Sequence, residues 1–163
     1  MRFSSIAIIL QSASIFFTTE AGATVNHINE RKKSFICDEV TFKFNQFPHQ
    51  RGLTEDAAGM TAYGSLYQIY MDKLEVHENE HTNGIPFRYA DRHTTNLSFY
   101  LLANLTSYQN LGTYDLRFDY YVVVDGRNRA TAMLLKTTPH NRSGNYEQST
   151  EPYYTLCKVG ALR

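Results

Sequence analysis

Tryptophan is absent, cysteine occurs only twice, and neither sign of charge prevails: sixteen Lys and Arg balance sixteen Asp and Glu over 163 residues. Each deficiency excludes something. Zero net charge removes any bulk electrostatic drive toward nucleic acid or an anionic membrane. Two cysteines as far apart as Cys37 and Cys157 lack the close Cys-x-x-Cys spacing of structural zinc sites, and cannot build one alone. No glycine-rich phosphate loop and no Gly-x-Ser-x-Gly nucleophile elbow is present. There is no internal repeat or low-complexity tract, and after the first residues no apolar run approaches the ~20 residues of a membrane span.

What is present begins with a leader. Arg2 provides a short positive start, Ile6 to Leu10 with Ala13, Ile15, Phe16 and Phe17 form a mostly apolar stretch, and Ala21-Gly22-Ala23 offers a small-x-small cleavage site. The expectation is a signal peptide over 1–23, a flexible segment over 24–33 and a single domain over 34–163. Arg31-Lys32-Lys33 reads as a solvated charge run, with dibasic processing as the alternative. In an exported chain an even pair of cysteines is expected to oxidise, so one Cys37–Cys157 disulfide should close nearly the whole domain into a ring.

Twelve tyrosines and ten phenylalanines suit strands whose rings pack on one side and keep a hydroxyl in water. Phe35, Cys37, Val40, Phe42 and Phe44 alternate with polar residues, predicting a strand over Ser34–Phe47. Thr54-Glu55-Asp56 reads as a capped helix start. Tyr63, Leu66, Tyr67, Tyr70, Met71 and Leu74 then recur at helical spacing, with Gly59 and Gly64 as weak points. From Gly84 onward the pattern is β: strands are predicted over Leu97–Leu105, Leu116–Val124, Ala130–Lys136 and Tyr153–Val159. Asp125-Gly126-Arg127-Asn128 marks a turn. The fold class is therefore α+β, one amphipathic helix packed on an antiparallel sheet.

The sharpest local motif is His77-Glu78-Asn79-Glu80-His81, which satisfies His-Glu-x-x-His: two histidines one helical turn apart ligate zinc and the glutamate works on bound water. A secreted zinc metallopeptidase is thus one reading. The extended pattern continues to Gly84 but meets Phe87 where a third ligand belongs, and Asn83-Gly84 and Pro86 end any helix. A solvated segment after a helix, with weak metal affinity at His77 and His81, is the plainer reading. Asn96-Leu97-Ser98, Asn104-Leu105-Thr106 and Asn141-Arg142-Ser143 are glycosylation sequons. The first two lie on or beside a predicted strand, which leaves Asn141 as the expected site.

In the order and spacing of its pieces the chain resembles the small secreted ribonuclease-like effectors of powdery mildew fungi. The pieces are Phe35-Ile36-Cys37 after the leader, a helix, Gly84-Ile85-Pro86-Phe87-Arg88-Tyr89, the hairpin strands Tyr120–Asp125 and Met133–Lys136, and Tyr153-Tyr154-Thr155-Leu156-Cys157. The resemblance covers most of the mature region and implies a ribonuclease-like fold related to guanyl-preferring fungal ribonucleases. Their catalytic groups can be sought position by position. The histidine of the proline segment falls at Phe87, and the glutamate belongs near Ser98–Leu101, where no Asp or Glu occurs from Arg92 to Tyr114. The arginine falls near Tyr121, and the general-acid histidine at Lys136, with His140 four residues on.

RNA cleavage of this kind needs a base, an acid and a cation on the phosphate, so the resemblance implies a non-enzymatic protein without cofactor. A residual ribonuclease using His140 is the third reading. The resemblance further implies delivery to the plant cell as a monomer and suppression of immunity. Its expected partners are host plant proteins, immune receptors among them. Arg127, Arg129, Lys136, His140 and Arg142, with Tyr120, Tyr121 and Tyr146 near them in sequence, form a candidate surface for RNA or another partner. The bland alternative is an ordinary hairpin rim.

Overall fold

The turn at Asp125–Asn128 joins the two longest strands. The computed structural model describes residues 23–43, 60–79, 84–112, 114–141 and 151–161. In chain order it contains β1 (Thr24–Val25), a 3-10 turn (Glu30–Lys32), β2 (Lys33–Cys37), β3 (Val40–Lys43), α1 (Met60–Asn79), β4 (Arg88–Tyr89), β5 (Ser98–Leu101), a second 3-10 turn (Ala103–Leu105), β6 (Ser107–Asn110), β7 (Tyr114–Val124), β8 (Ala130–Asn141), β9 (Tyr153–Leu156) and β10 (Lys158–Ala161). The α+β expectation is met: the described residues form one α-helix and two antiparallel sheets, with β1 and β4 added as a short parallel pair.

The main sheet runs β5-β7-β8-β9, and β6 pairs with the same side of β7 as β5, beyond it along the strand. Because side chains alternate across a strand, its residues sort onto two faces. Phe99, Tyr121, Val123, Ala132, Leu134 and Leu156 meet Tyr70 and Leu74 of α1. Tyr120, Val122, Met133 and Leu135 face the other way, onto Phe35, Phe42, Val159 and the half-cystines. That second layer is the small sheet β10-β2-β3.

Both predicted strands at the chain ends are subdivided. Asp38, with φ 51°, turns the expected Ser34–Phe47 strand back on itself, so that β2 and β3 form a hairpin with Cys37 opposite Val40. The closing strand is two strands in two sheets: β9 pairs with β8, and β10 pairs with β2. The chain changes sheet at Cys157, whose amide still donates to Met133 O at 2.9 Å. The Cys37–Cys157 disulfide, spanning 120 residues, thus fastens the small sheet at the corner where the chain crosses. It joins β2 to the junction of β9 and β10.

Three further expectations are corrected. The segment 24–33 is part of the fold: Thr24–Val25 pairs with Arg88–Tyr89, Val25 O accepts from the Ala90 amide at 2.8 Å, and Lys33 begins β2 fully buried. Leu97–Leu105 is interrupted, because Leu102 turns into the core and the chain winds into a 3-10 turn before β6. The strand expected to end at Lys136 continues to Asn141 through Pro139. The missing amide is tolerated because β9 pairs only with Leu134–Thr137 of β8, so the proline costs no bond of that ladder. The helix is present where the tyrosine stripe placed it; its expected cap at Thr54 lies outside the described residues. No helix among the described residues is long and apolar enough to cross a membrane.

Candidate functional site

The densest polar constellation among the described residues sits at the turn end of the β7–β8 hairpin. Asp125 Oδ1 accepts from the backbone amides of Arg127 (3.0 Å) and Arg129 (2.9 Å), closing the turn as its own side-chain cap. Asn128 supplies the left-handed residue, with φ 59°. This geometry folds Arg129 back along the turn. Its Nε donates to Asp125 Oδ2 at 2.8 Å, while Nη1 and Nη2 grip the two oxygens of Asp91 at 2.7 and 3.1 Å. A guanidinium fork on two carboxylates is among the strongest side-chain pairings. Arg129 holds the Asp91 carboxyl well below the usual carboxylate range. Burial pushes Asp125 the other way, but the hydrogen bonds from Arg129 and from the turn amides outweigh it and lower it.

Lys33 enters the same corner from β2. Its side chain is 0% exposed, and its ammonium has three acceptors for three protons: His27 Nδ1 at 2.8 Å, Glu30 Oε1, and Ala130 O at 2.6 Å. The Tyr89 ring lies 5.0 Å beneath it. Burial lowers the Lys33 pKa, and the bond to Glu30 opposes that shift. Since an ammonium only donates, His27 Nδ1 must accept, and the ring proton sits on Nε2. That proton is given to Thr94 Oγ1 at 3.1 Å, with Asp125 Oδ2 at 3.7 Å. Burial first, then the neighbouring Lys33 and Arg129 charges, pull His27 down to about 4.

Chemically this is a clasp. It joins residues 27–33, the loop 91–94 and the hairpin turn. Each donor of Lys33 is occupied, and the Thr94 hydroxyl donates to Asp91 at 3.3 Å, so neither is poised as a nucleophile. The sequence carried one sign of it. Lys33, Phe35 and Cys37 share a strand parity, which places Lys33 on the inward face and contradicts its reading as part of a solvated run.

The candidate RNA- or partner-binding residues do not converge. Arg127 is exposed at the turn, whereas Arg129 is committed to Asp91 and Asp125. At ~3.3 Å per residue, Lys136 lies roughly 23 Å along β8 from Arg129, and His140 roughly 36 Å. In the strand register Lys136 stands opposite Asp119 and Tyr154, and His140 opposite Asp115. Tyr121 and Tyr120 are buried on opposite faces of the sheet and offer no ring for base stacking. Arg142 and Tyr146 lie outside the described residues. Asn141 is the last residue of β8, and its sequon serine is outside them too.

The zinc motif falls partly within the described residues. His77 and Glu78 occupy the last turn of α1; the His77 ring stacks on Phe87 with centroids 3.8 Å apart and planes 9° apart, and Glu78 faces Arg88 at 3.8 Å. His81 lies outside. Among the described residues no three His, Cys, Asp or Glu side chains converge to hold a metal. Phe87, set where the resemblance expects a histidine, belongs to the helix-side core together with Tyr121, Phe99 and Leu101. No protein-family model, curated protein or solved structure matches the chain.

Proposed function

We propose that this chain is a secreted, non-catalytic effector with a ribonuclease-like fold that binds host plant proteins and thereby modulates immunity. The observation that carries the reading is the content of the positions where such a ribonuclease keeps its reacting groups. They hold Phe87, Ser98–Leu101, Tyr121 and Lys136, and Phe87, Phe99 and Tyr121 are buried against the helix side of the sheet. A base for the 2′-hydroxyl and an acid for the leaving oxygen are both missing from them. A disulfide closing the first and last parts of the domain fits an exported protein of this class. Protein is favoured over RNA as the partner because the described candidate cations are strung out from the turn along β8 and Arg129 is already held by Asp91 and Asp125, which leaves no continuous phosphate track.

Two measurements test this. Single-stranded RNA incubated with the purified protein across acid to neutral pH should stay intact. Guanosine-specific cleavage abolished by His140→Ala would overturn the non-catalytic reading, and salt-dependent RNA retention lost on Arg127→Ala would replace the protein partner by RNA. Production of the chain in host leaf cells, directed either to the cytosol or outside the membrane, should dampen a defence response. No effect from either compartment would reject the effector role.

A further inference from the structure

Among the described residues, one margin of the main sheet carries neither charge nor proline. Strand edges expose unpaired amides and carbonyls, and proteins blunt them with charges, proline or covering segments. From Thr94 to Tyr114 the chain contains no Asp, Glu, Lys or Arg and no proline. That stretch supplies β5 and β6, which both pair inward with β7; among the described residues no strand pairs with their outer sides. All four residues of β6 are exposed, and Tyr108 is 66% exposed. A neutral strand of this composition invites addition of another strand.

The same margin carries Asn104-Leu105-Thr106. Asn104 is exposed in the 3-10 turn Ala103–Leu105, between β5 and β6. Asn96, the sequon residue before β5, is differently placed. Its φ is 52° and its side chain lies over the hairpin turn, so that a Cβ on Gly126 would come within 3.2 Å of its Cβ and 3.4 Å of its amide nitrogen. A saccharide on that nitrogen would crowd the turn.

We propose that Asn104 carries an N-linked glycan and that this glycan screens the charge-free β5–β6 margin. The inference rests on the secretory reading above, since the donor is a polyprenyl-diphosphate-linked oligosaccharide of the secretory lumen. The Asn104 amide nitrogen attacks the anomeric carbon and forms the N–C1 bond. The C1–O bond to diphosphate breaks, polyprenyl diphosphate leaves with the bonding pair, and the amide proton passes to the transferase base. Transfer precedes folding. Afterwards the Thr106 hydroxyl, which the transferase reads, donates to Asp119 Oδ1 at 3.0 Å and becomes part of the fold.

The test is expression of the full chain in a eukaryotic secretory host. With Asn141→Gln as the background, which removes the third sequon, the secreted protein should carry one glycan that an amide-cleaving glycosidase removes, leaving Asp at 104. Asn104→Gln and Thr106→Ala should abolish the mass shift, while Thr106→Ser and Asn96→Gln should retain it. Protein in the medium with unmodified Asn104 overturns the proposal and leaves secretion standing. Protein retained in the cytosol with its leader intact refutes the secretory reading. A parallel arm with a heterologous leader ahead of the full chain then brings Asn104 to the lumen, and an unmodified Asn104 there overturns the site as well. Glycan removal should also raise the sedimentation-average mass with concentration. A constant monomer mass would remove the screening role.

Discussion

The two ends of the β7–β8 hairpin are built from opposite materials. At the turn, the charges of Lys33 and Asp125 are buried in a network completed by neutral His27 and half-buried Arg129, with the Asp125 side chain 0% exposed. At the far end, where β6 lies beside β7, Tyr108, Leu111 and Tyr114 are exposed and the adjoining sheet margin has no charge. The contrast separates two ways of determining a structure. Ions taken out of water demand one geometry, because each unmet bond costs several kcal/mol. An uncharged exposed margin demands almost nothing of the chain's geometry.

Four perturbations break or sharpen this contrast. The largest should be removal of the bridge. Replacing Cys37 and Cys157 by Ala opens a ring spanning 120 residues and should cost about 4–5 kcal/mol in denaturant unfolding on the chain-entropy estimate. It should lower amide-exchange protection at both ends of the hairpin alike. Next, Arg129→Met strands the buried Asp125 carboxylate and should cost about 3–5 kcal/mol, with protection lost first around residues 123–131. Equal loss near residues 115–118 would show that the two ends are not independent.

Third is pH. The His27 side chain is 7% exposed, and its pKa is depressed from 6.5 to about 4 in the fold. The unfolded chain therefore binds a proton that the native state refuses, and stability falls as pH drops from about 6.5 toward 4. The full loss is about 3 kcal/mol, read as a falling unfolding midpoint that His27→Gln should flatten. A midpoint that rises on acidification would show His27 to be charged in the fold. The smallest effect belongs to the far end: Tyr108→Ser and Leu111→Ser should change stability by less than about 0.5 kcal/mol. A larger loss would mean that this margin is packed.

The parts legible in sequence were those with a local cause. Tyr70 and Leu74 share a helical stripe, and both are buried against the sheet, with Leu66 and Met71 of the same stripe packed beside them. Asp125-Gly126-Arg127-Asn128 turns where its residues accept the required angles. Even the disulfide followed from counting to two, given the expectation of an oxidising compartment. The misread parts depend on distant partners. Lys33 is buried because Ala130 offers a carbonyl 97 residues away, and Arg129 is unavailable to a ligand because Asp91 holds it. Tyr120 and Tyr121 looked like neighbours on a surface, yet the pleat sends them to opposite buried faces.

Composition, periodicity and turn chemistry by themselves determined one helix, a β-rich remainder and a single possible intramolecular bridge. Each of these follows from interactions among residues a few positions apart or from there being only two sulfurs. Tertiary structure alone decided that the last strand divides between two sheets at Cys157, that the candidate basic cluster is dispersed along β8, and that the polar N-terminal segment is held in an ion clasp. Those outcomes depend on which carbonyl, carboxylate or strand edge a residue meets across the fold. No local pattern encodes that meeting.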